Sequence, residues 1–232
     1  TPAWGSPFRN EALLAALPEG KLGRFDLERA AWEIARRETT SVGAFVDDFK
    51  TALQGQPDGE EPLRHLANFD GWDTDGSIGA TIYDEAVKEL REELFRPSTG
   101  GFVQPAIFEQ VLQPTVISRA IGGTSRYDYL AGRSAIAVLN TAVQSAVANL
   151  KQRLGDEVSA WGYRPGAMSV NGQRPVPYNN RGTYIQITEL APMPIARSLA
   201  SPGVAEEGPH AGDQSDLARA WLYKSMWRLK PD

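Results

Sequence analysis

Apolar positions recur at helical spacing through the first two thirds of the chain. Leu27, Ala30, Ala31, Ile34 and Ala35 form one stripe, with Asp26 placed to cap the helix and Thr39-Thr40-Ser41 to end it. From Val42 to Leu53, Phe45, Val46, Phe49 and Leu53 share a face, and Gly55-Gln56-Pro57-Asp58-Gly59 stops the pattern. A short helix is predicted over Glu60 to Ala67. The best pattern of the first half runs from Ser77 to Phe95, where Ile78, Ile82, Ala86, Leu90 and Leu94 oppose acidic positions. Further helices are predicted from Gln104 to about Ser118 and from Tyr127 to Leu154. The second is rich in alanine (Ala131, Ala135, Ala137, Ala142, Ala146, Ala148), which lets a neighbouring helix approach closely.

After Gly155 the period changes from helical to two. Ala167-Met168-Ser169-Val170 and the run Thr183 to Thr188 alternate and are bounded by Gly, Pro and Asn, so both read as strands. Asn171 to Tyr178 between them is a loop or an edge segment. Ser201 to Gly212 is another loop, and a helix is predicted from Asp213 to Met226. There is no internal repeat. The fold class is α+β, helical over 1–155, with strands and a final helix over 156–232.

Composition narrows the chemistry. The 232 residues are 41% hydrophobic and 23% charged, enough for a sizeable core. A net charge of -5 with no basic block argues against nucleic acid as a partner. Cysteine is absent, which removes disulfides, thiol nucleophiles and Cys-ligated metals. No run approaches eighteen apolar residues, so no membrane span is expected, and the opening residues lack the pattern of a signal peptide.

Local motifs give weak candidates. Asp73-Thr74-Asp75-Gly76 resembles part of a calcium loop, but in that register Gly71 and Ile82 stand where carboxylates are needed, so a polar turn is the simpler reading. His210, near Glu206, Glu207 and Asp213, could be a base or a ligand, or simply fix its own loop. His65, beside Arg64, reads as a surface residue. Gly122-Gly123-Thr124-Ser125 and Gly100-Gly101 lack the lysine of a phosphate loop, and no Gly-x-Ser-x-Gly or Ser-x-x-Lys precedes a helix. Glu89 and Glu92-Glu93 read as a solvated helix face. No local stretch assembles a complete active site.

Several stretches taken in order do carry a resemblance. Trp4-Gly5-Ser6-Pro7-Phe8-Arg9, Leu13-Leu14, the helix with Trp32-Glu33-Ile34, Asn68-Phe69-Asp70-Gly71-Trp72, Leu150 to Gly155, Val158-Ser159-Ala160-Trp161, Tyr178-Asn179-Asn180-Arg181-Gly182-Thr183 and His210-Ala211-Gly212-Asp213-Gln214 follow one another as in the β chain of penicillin acylases. The chain thus resembles the C-terminal portion of that β chain over essentially all of 1–232, and the resemblance implies a helix-rich part of a four-layer αββα N-terminal nucleophile hydrolase fold.

The resemblance further implies an amidohydrolase acting on penicillin-like or other N-acyl substrates through an acyl-enzyme. Its attacking Ser, activated by its own α-amino group, and the oxyanion Asn lie upstream of the matched region, on another segment or chain of the processed precursor. One site residue carries over. Arg9 stands five positions after Trp4, where the family has an Arg beside the oxyanion Asn and the polar end of the substrate. Thr1 is a terminal hydroxyl, but Pro2 follows it and the adjoining match lies far from the family's nucleophile. No cofactor is expected from this chain. Calcium in the complete enzyme would be held by residues outside it, and an exported, periplasmic or secreted location is implied. By itself the chain is expected to be inactive. Two other readings stay open: an acyl-homoserine lactone or lipopeptide acylase of the same family, and a non-enzymatic helical interaction domain.

Overall fold

The computed structural model describes residues 8–36, 43–71, 76–99, 112–162, 167–168, 176–177, 184–190, 192, 194–200, 203, 208, 210–220 and 222–226. The chain forms two compact units, residues 1–9 with 38–164, and residues 10–37 with 165–232.

The first unit is helical. It contains α3 (Val46–Leu53), α4 (Glu60–Ala67), α5 (Ile78–Thr99), α6 (Pro114–Ile121) and α7 (Ala135–Leu154), followed by a single 3-10 turn at Val158–Ala160. The predicted stripes become its core. Ile82, Ala86, Leu90 and Leu94 of α5 meet Val138, Ala142, Val143, Ala146 and Leu150 of α7, and all are buried. Ala142 and Ala146 keep α7 slim on that face, as the alanine content predicts. Phe49 of α3 lies edge-on to Tyr83 of α5, with ring centroids 5.8 Å apart.

Three helix limits differ from the sequence expectation, each for a local reason. The Tyr127 to Leu154 helix begins only at Ala135, where Ser134 Oγ accepts the Ala137 N–H at 3.3 Å. Ahead of it the Asp128 carboxylate accepts the N–H groups of Leu130 and Gly132, both at 3.0 Å, and Ala131 sits at φ +53°, outside the helix it was expected to join. Of the helix expected from Gln104 to Ser118, residues 104–111 lie outside the described residues; the described part starts at Pro114, which takes the first helical position behind Gln113 as cap, and runs on to Ile121. At the far end of α5, Pro97 sits in the last turn, where it removes one bond without breaking the helix, so α5 runs past Phe95 to Thr99. The start of α5 fits expectation, with Ser77 Oγ accepting the Ala80 N–H at 3.2 Å.

Gly155 ends α7 at φ +94°, a conformation that suits glycine, and its N–H bonds the Lys151 carbonyl. Its own carbonyl accepts the Trp161 indole N–H at 2.9 Å. The Trp161 ring is fully buried in the same core.

The second unit carries the strands. Helices α1 (Phe8–Ala16, from residue 10 onward in this unit) and α2 (Arg24–Arg36) precede β1 (Ala167–Met168), β2 (Val176–Pro177), β3 (Tyr184–Glu189), β4 (Ile195–Ala200), α8 (Ser215–Ala220) and β5 (Lys224–Ser225). Strand β3 pairs antiparallel with β4 from Tyr184↔Ala200 to Glu189↔Ile195, and β5 adds to the other side of β4 through Arg197↔Ser225. Strands β1 and β2 form a separate two-stranded ladder. Helix α2 packs against β3.

Here too the differences have causes. The predicted final helix stops at Ala220, and Lys224–Ser225 pairs with β4 instead. Strand β4 escaped the pattern because Ser198 and Leu199, neighbours in sequence, are both buried, which erases the alternation of a half-buried strand. Helix α2 starts at Arg24, so Asp26 lies inside its first turn. There its Oδ2 accepts the Gly23 N–H at 2.9 Å and does not cap from outside.

Candidate functional site

Arg9 belongs to the first turn of α1, and its side chain lies outside the described residues, as do Thr1 and the whole of Trp4 to Pro7. The helix that carries it is described. Ala12 is buried, whereas Leu13 and Leu14 are 38% and 62% exposed. Leu13 follows Arg9 by four positions, one helical turn.

The strand-bearing unit also holds a charge cluster that joins α2 to the sheet. Glu28 Oε1 lies 3.5 Å from Arg24 Nε and 3.8 Å from Arg197 Nη1, and Arg24 Nη1 lies 3.8 Å from Glu189. Arg24 also sits over the Phe25 ring, 4.6 Å from its centroid. Arg24 Nε and Glu28 Oε1 are buried and make no hydrogen bond, so this is a loosely spaced ion cluster.

The His210-Ala211-Gly212-Asp213-Gln214 stretch serves the architecture. The His210 ring is exposed, with Nδ1 3.4 Å from an Asp213 oxygen, while Glu206 and Glu207 lie outside the described residues. Gln214 is the buried member. Its Oε1 accepts the Ala200 N–H at 3.1 Å and ties α8 to the end of β4, while its Nε2 is buried with no partner. Gly203 is wedged beneath this turn: a Cβ there would stand 2.2 Å from the His210 carbonyl oxygen.

In the helical unit, a depression of about 660 Å³ is lined by Thr81, Asp84, Glu85, Lys88, Arg153 and Leu154, among others. Glu85 is the most buried polar group among these and is only 6% exposed. Lys88 Nζ donates to one carboxylate oxygen at 2.9 Å, and an Arg153 nitrogen is 3.0 Å from the other. Burial alone would raise the Glu85 pKa. The Lys88 hydrogen bond and charge, with those of Arg153, outweigh it and hold the carboxyl below its ordinary value. Lys88 is held above its own, chiefly by the hydrogen bond to Glu85. The carboxylate, bonded from both helices, clamps α5 to α7. Glu89, read in the sequence as part of a solvated face, is half-buried, and burial pushes its pKa up. Glu92 and Glu93 pair with Arg96 and Arg133.

Two of the remaining sequence candidates, His65 and the Gly122 to Ser125 turn, lie among the described residues. His65 is half-buried with Nε2 unbonded, which corrects its reading as a surface residue. Gly122 and Thr124 close the end of α6 through bonds to the Ser118 and Arg119 carbonyls, with no ligand role needed. Residues 72–75 of the calcium-like turn, the Gly100-Gly101 pair and the Tyr178 to Thr183 turn lie outside the described residues. Among the described residues no group of three His, Asp or Glu side chains is placed to hold a metal ion. Also among them, no helix is long and apolar enough to cross a membrane.

Comparison with known proteins places this arrangement. The structure resembles a thermostable penicillin G acylase from Alcaligenes faecalis with a TM-score of 0.71 at 17% sequence identity. The likeness covers 96% of this chain and 50% of that one, so this chain spans about half the length of the acylase chain it matches. At that identity the likeness speaks for the fold. A search of curated proteins found no match. The family model for penicillin amidase matches residues 1–220, nearly the whole length, and the chain therefore belongs to the penicillin amidase family.

Proposed function

We propose that this chain is the C-terminal portion of an amidohydrolase that cleaves the side-chain amide of penicillin-like or other N-acyl substrates. The observation that carries the reading is the family match over residues 1–220, combined with a fold equivalent to half of a penicillin G acylase chain. The reaction passes through an acyl-enzyme formed on a Ser whose own α-amino group is the base, and that Ser lies on another segment or chain of the precursor. This chain supplies scaffold and Arg9. A guanidinium there orients the oxyanion-stabilising amide and draws the polar end of the substrate toward the cleft. Calcium, where the complete enzyme holds it, would be bound by residues outside this chain. Export to the periplasm or medium fits the same reading.

The test uses the complete enzyme. It is expected to hydrolyse phenylacetyl amides, and Arg9→Ala is expected to lower kcat/KM by about 100-fold, in the range of one lost charge-assisted contact at an acyl-transfer site. Arg9→Lys restores part of that loss if charge matters and little of it if the planar fork does. Turnover of long-chain acyl amides with none of phenylacetyl amides would move the acyl preference to the lactone or lipopeptide class. Absence of any amide turnover would leave a non-enzymatic module and overturn the proposal.

A further inference from the structure

The loop between α6 and α7 is held in shape by its own bonds. Thr124 bonds the Arg119 carbonyl through both its N–H and its hydroxyl. The Asp128 carboxylate takes the Leu130 and Gly132 N–H groups, and Arg133 reaches the Leu130 carbonyl and Glu93. An aromatic series leads outward along it. Phe95 is buried, Tyr129 stands edge-on to it with ring centroids 4.8 Å apart, and Tyr127 stands edge-on to Tyr129 at 6.3 Å while remaining 63% exposed. The Arg126 guanidinium lies over the Tyr127 ring, 5.7 Å from its centroid, so these two side chains share one surface.

The charges of the helical unit single out the same place. Every other described lysine and arginine of that unit pairs with a carboxylate, except Arg91, which bonds the Leu112 carbonyl. Arg119 and Arg126 are exposed, and among the described residues neither has a carboxylate partner. From Leu112 to Ser134 there are three arginines and a single carboxylate, Asp128, whose oxygens the loop itself occupies, in a chain of net charge -5.

We propose that Arg126 and Tyr127, with charge added by Arg119 at the end of α6, form a docking surface for an acidic segment of a partner protein. A guanidinium can take a carboxylate in two parallel hydrogen bonds, and tyrosine supplies contact area at small entropic cost; both anchor protein interfaces. A loop already fixed by its own bonds loses little further freedom on binding. A short acidic segment senses charges within about 10 Å, where this loop is positive. A bilayer or a nucleic acid spreads its negative charge more widely and would also meet the acidic remainder of the chain.

The test uses the complete protein and a dye-labelled oligoglutamate peptide that ends in a benzophenone residue. At low salt the peptide is expected to raise fluorescence anisotropy and, on irradiation, to crosslink within residues 119–133, located by peptide mass. Arg126→Gln is expected to weaken binding by about fivefold, the range of one exposed charge-assisted contact, and Arg126→Lys to restore part of it. Tyr127→Ser, which removes the ring and no charge, is expected to weaken it by about threefold. Arg64→Gln, which removes a cation already paired with Glu61, is expected to leave affinity unchanged. No binding, a crosslink elsewhere, an equal loss in Arg64→Gln, or equal or tighter binding of phosphatidylglycerol vesicles or single-stranded DNA would overturn the assignment. None of these readouts depends on amide turnover, so this surface and the proposed function fail separately.

Discussion

Leu90 in α5 is fully buried and Leu14 in α1 is 62% exposed, yet each lies in a helix with alanine and other leucines nearby. In the helical unit the stripe at every third and fourth position meets a facing stripe from the same unit. Ile82, Ala86, Leu90 and Leu94 find Ala142, Ala146 and Leu150, and the loops between are tied by local bonds such as Asp128 to Leu130 and Gly132. In the strand-bearing unit the sequence holds apolar side chains that its described partners do not cover. The first unit spends its hydrophobic pattern on its own interior, and the second presents part of that pattern outward.

The sharpest way to break the contrast is to remove a core leucine from the helical unit. Leu90→Ala leaves a cavity between α5 and α7 and is expected to cost about 3–4 kcal/mol. Urea unfolding followed by amide exchange within α5 and α7 measures it. A cost below about 1 kcal/mol would show that this core is loosely packed and that the contrast between the units is not real.

The strand-bearing unit has its own point of tight contact. A Cβ at Gly203 would stand 2.2 Å from the His210 carbonyl oxygen and 2.5 Å from Ala211 backbone atoms, none of which is a flexible side-chain end. Gly203→Ala must therefore move backbone, at about 2–3 kcal/mol. Its effect is expected to appear as faster exchange around β4 and α8, where Gln214 holds the Ala200 N–H, with α5 and α7 unaffected. Equal loosening of both units would show that they fold as one.

How much of this was legible in the sequence follows the same division. The α5 stripe and the Glu60–Ala67 helix could be read because each buries one face within its own unit, which leaves a clean period. The start of α7 was misjudged because alanine at 131 and 135 suits a helix, and the Asp128 side chain wins the backbone locally by offering it a turn. Strand β4 was invisible because consecutive Ser198 and Leu199 are both buried, and β5 because two residues are too few to show a period. The Glu85 cluster joins residues 85, 88 and 153, and only the packing of α5 on α7 makes them neighbours. Arg9 was singled out by resemblance and by nothing in its local pattern. The leucine pair beside it was equally visible, but its exposure is a property of the folded chain.

The Glu85 cluster gives a smaller effect with a direction fixed by its charges. The folded-state pKa of Glu85 is lowered, so its contribution is complete above the ordinary glutamate value and lost as pH falls through the lowered one. Glu85→Gln should flatten that acid limb and cost about 1–2 kcal/mol near neutral pH, less than a fully buried pair because Lys88 and Arg153 are half-exposed and can be rehydrated. Glu89 runs the other way. Its raised pKa means stability is lost as pH climbs from the ordinary value to the raised one, so Glu89→Gln should remove that loss. Thermal melts of both variants from acid to neutral pH separate the two; parallel slopes would show that the carboxylates do not differ as described.

The smallest expected effect bears most directly on function. Because the Leu14 side chain already meets solvent over most of its surface, Leu14→Ser in the 232-residue chain should change stability by no more than about 0.5 kcal/mol. In a longer protein whose further residues cover Leu14, the same substitution costs what burying the side chain contributes. The informative quantity is the difference between the two measurements, since both share the loss of leucine's helix propensity and any change in the unfolded chain. A side chain that belonged to the core of its own unit would show the full penalty in both settings. One that merely decorates the surface would show it in neither, and only a side chain covered by further polypeptide shows it in the second alone.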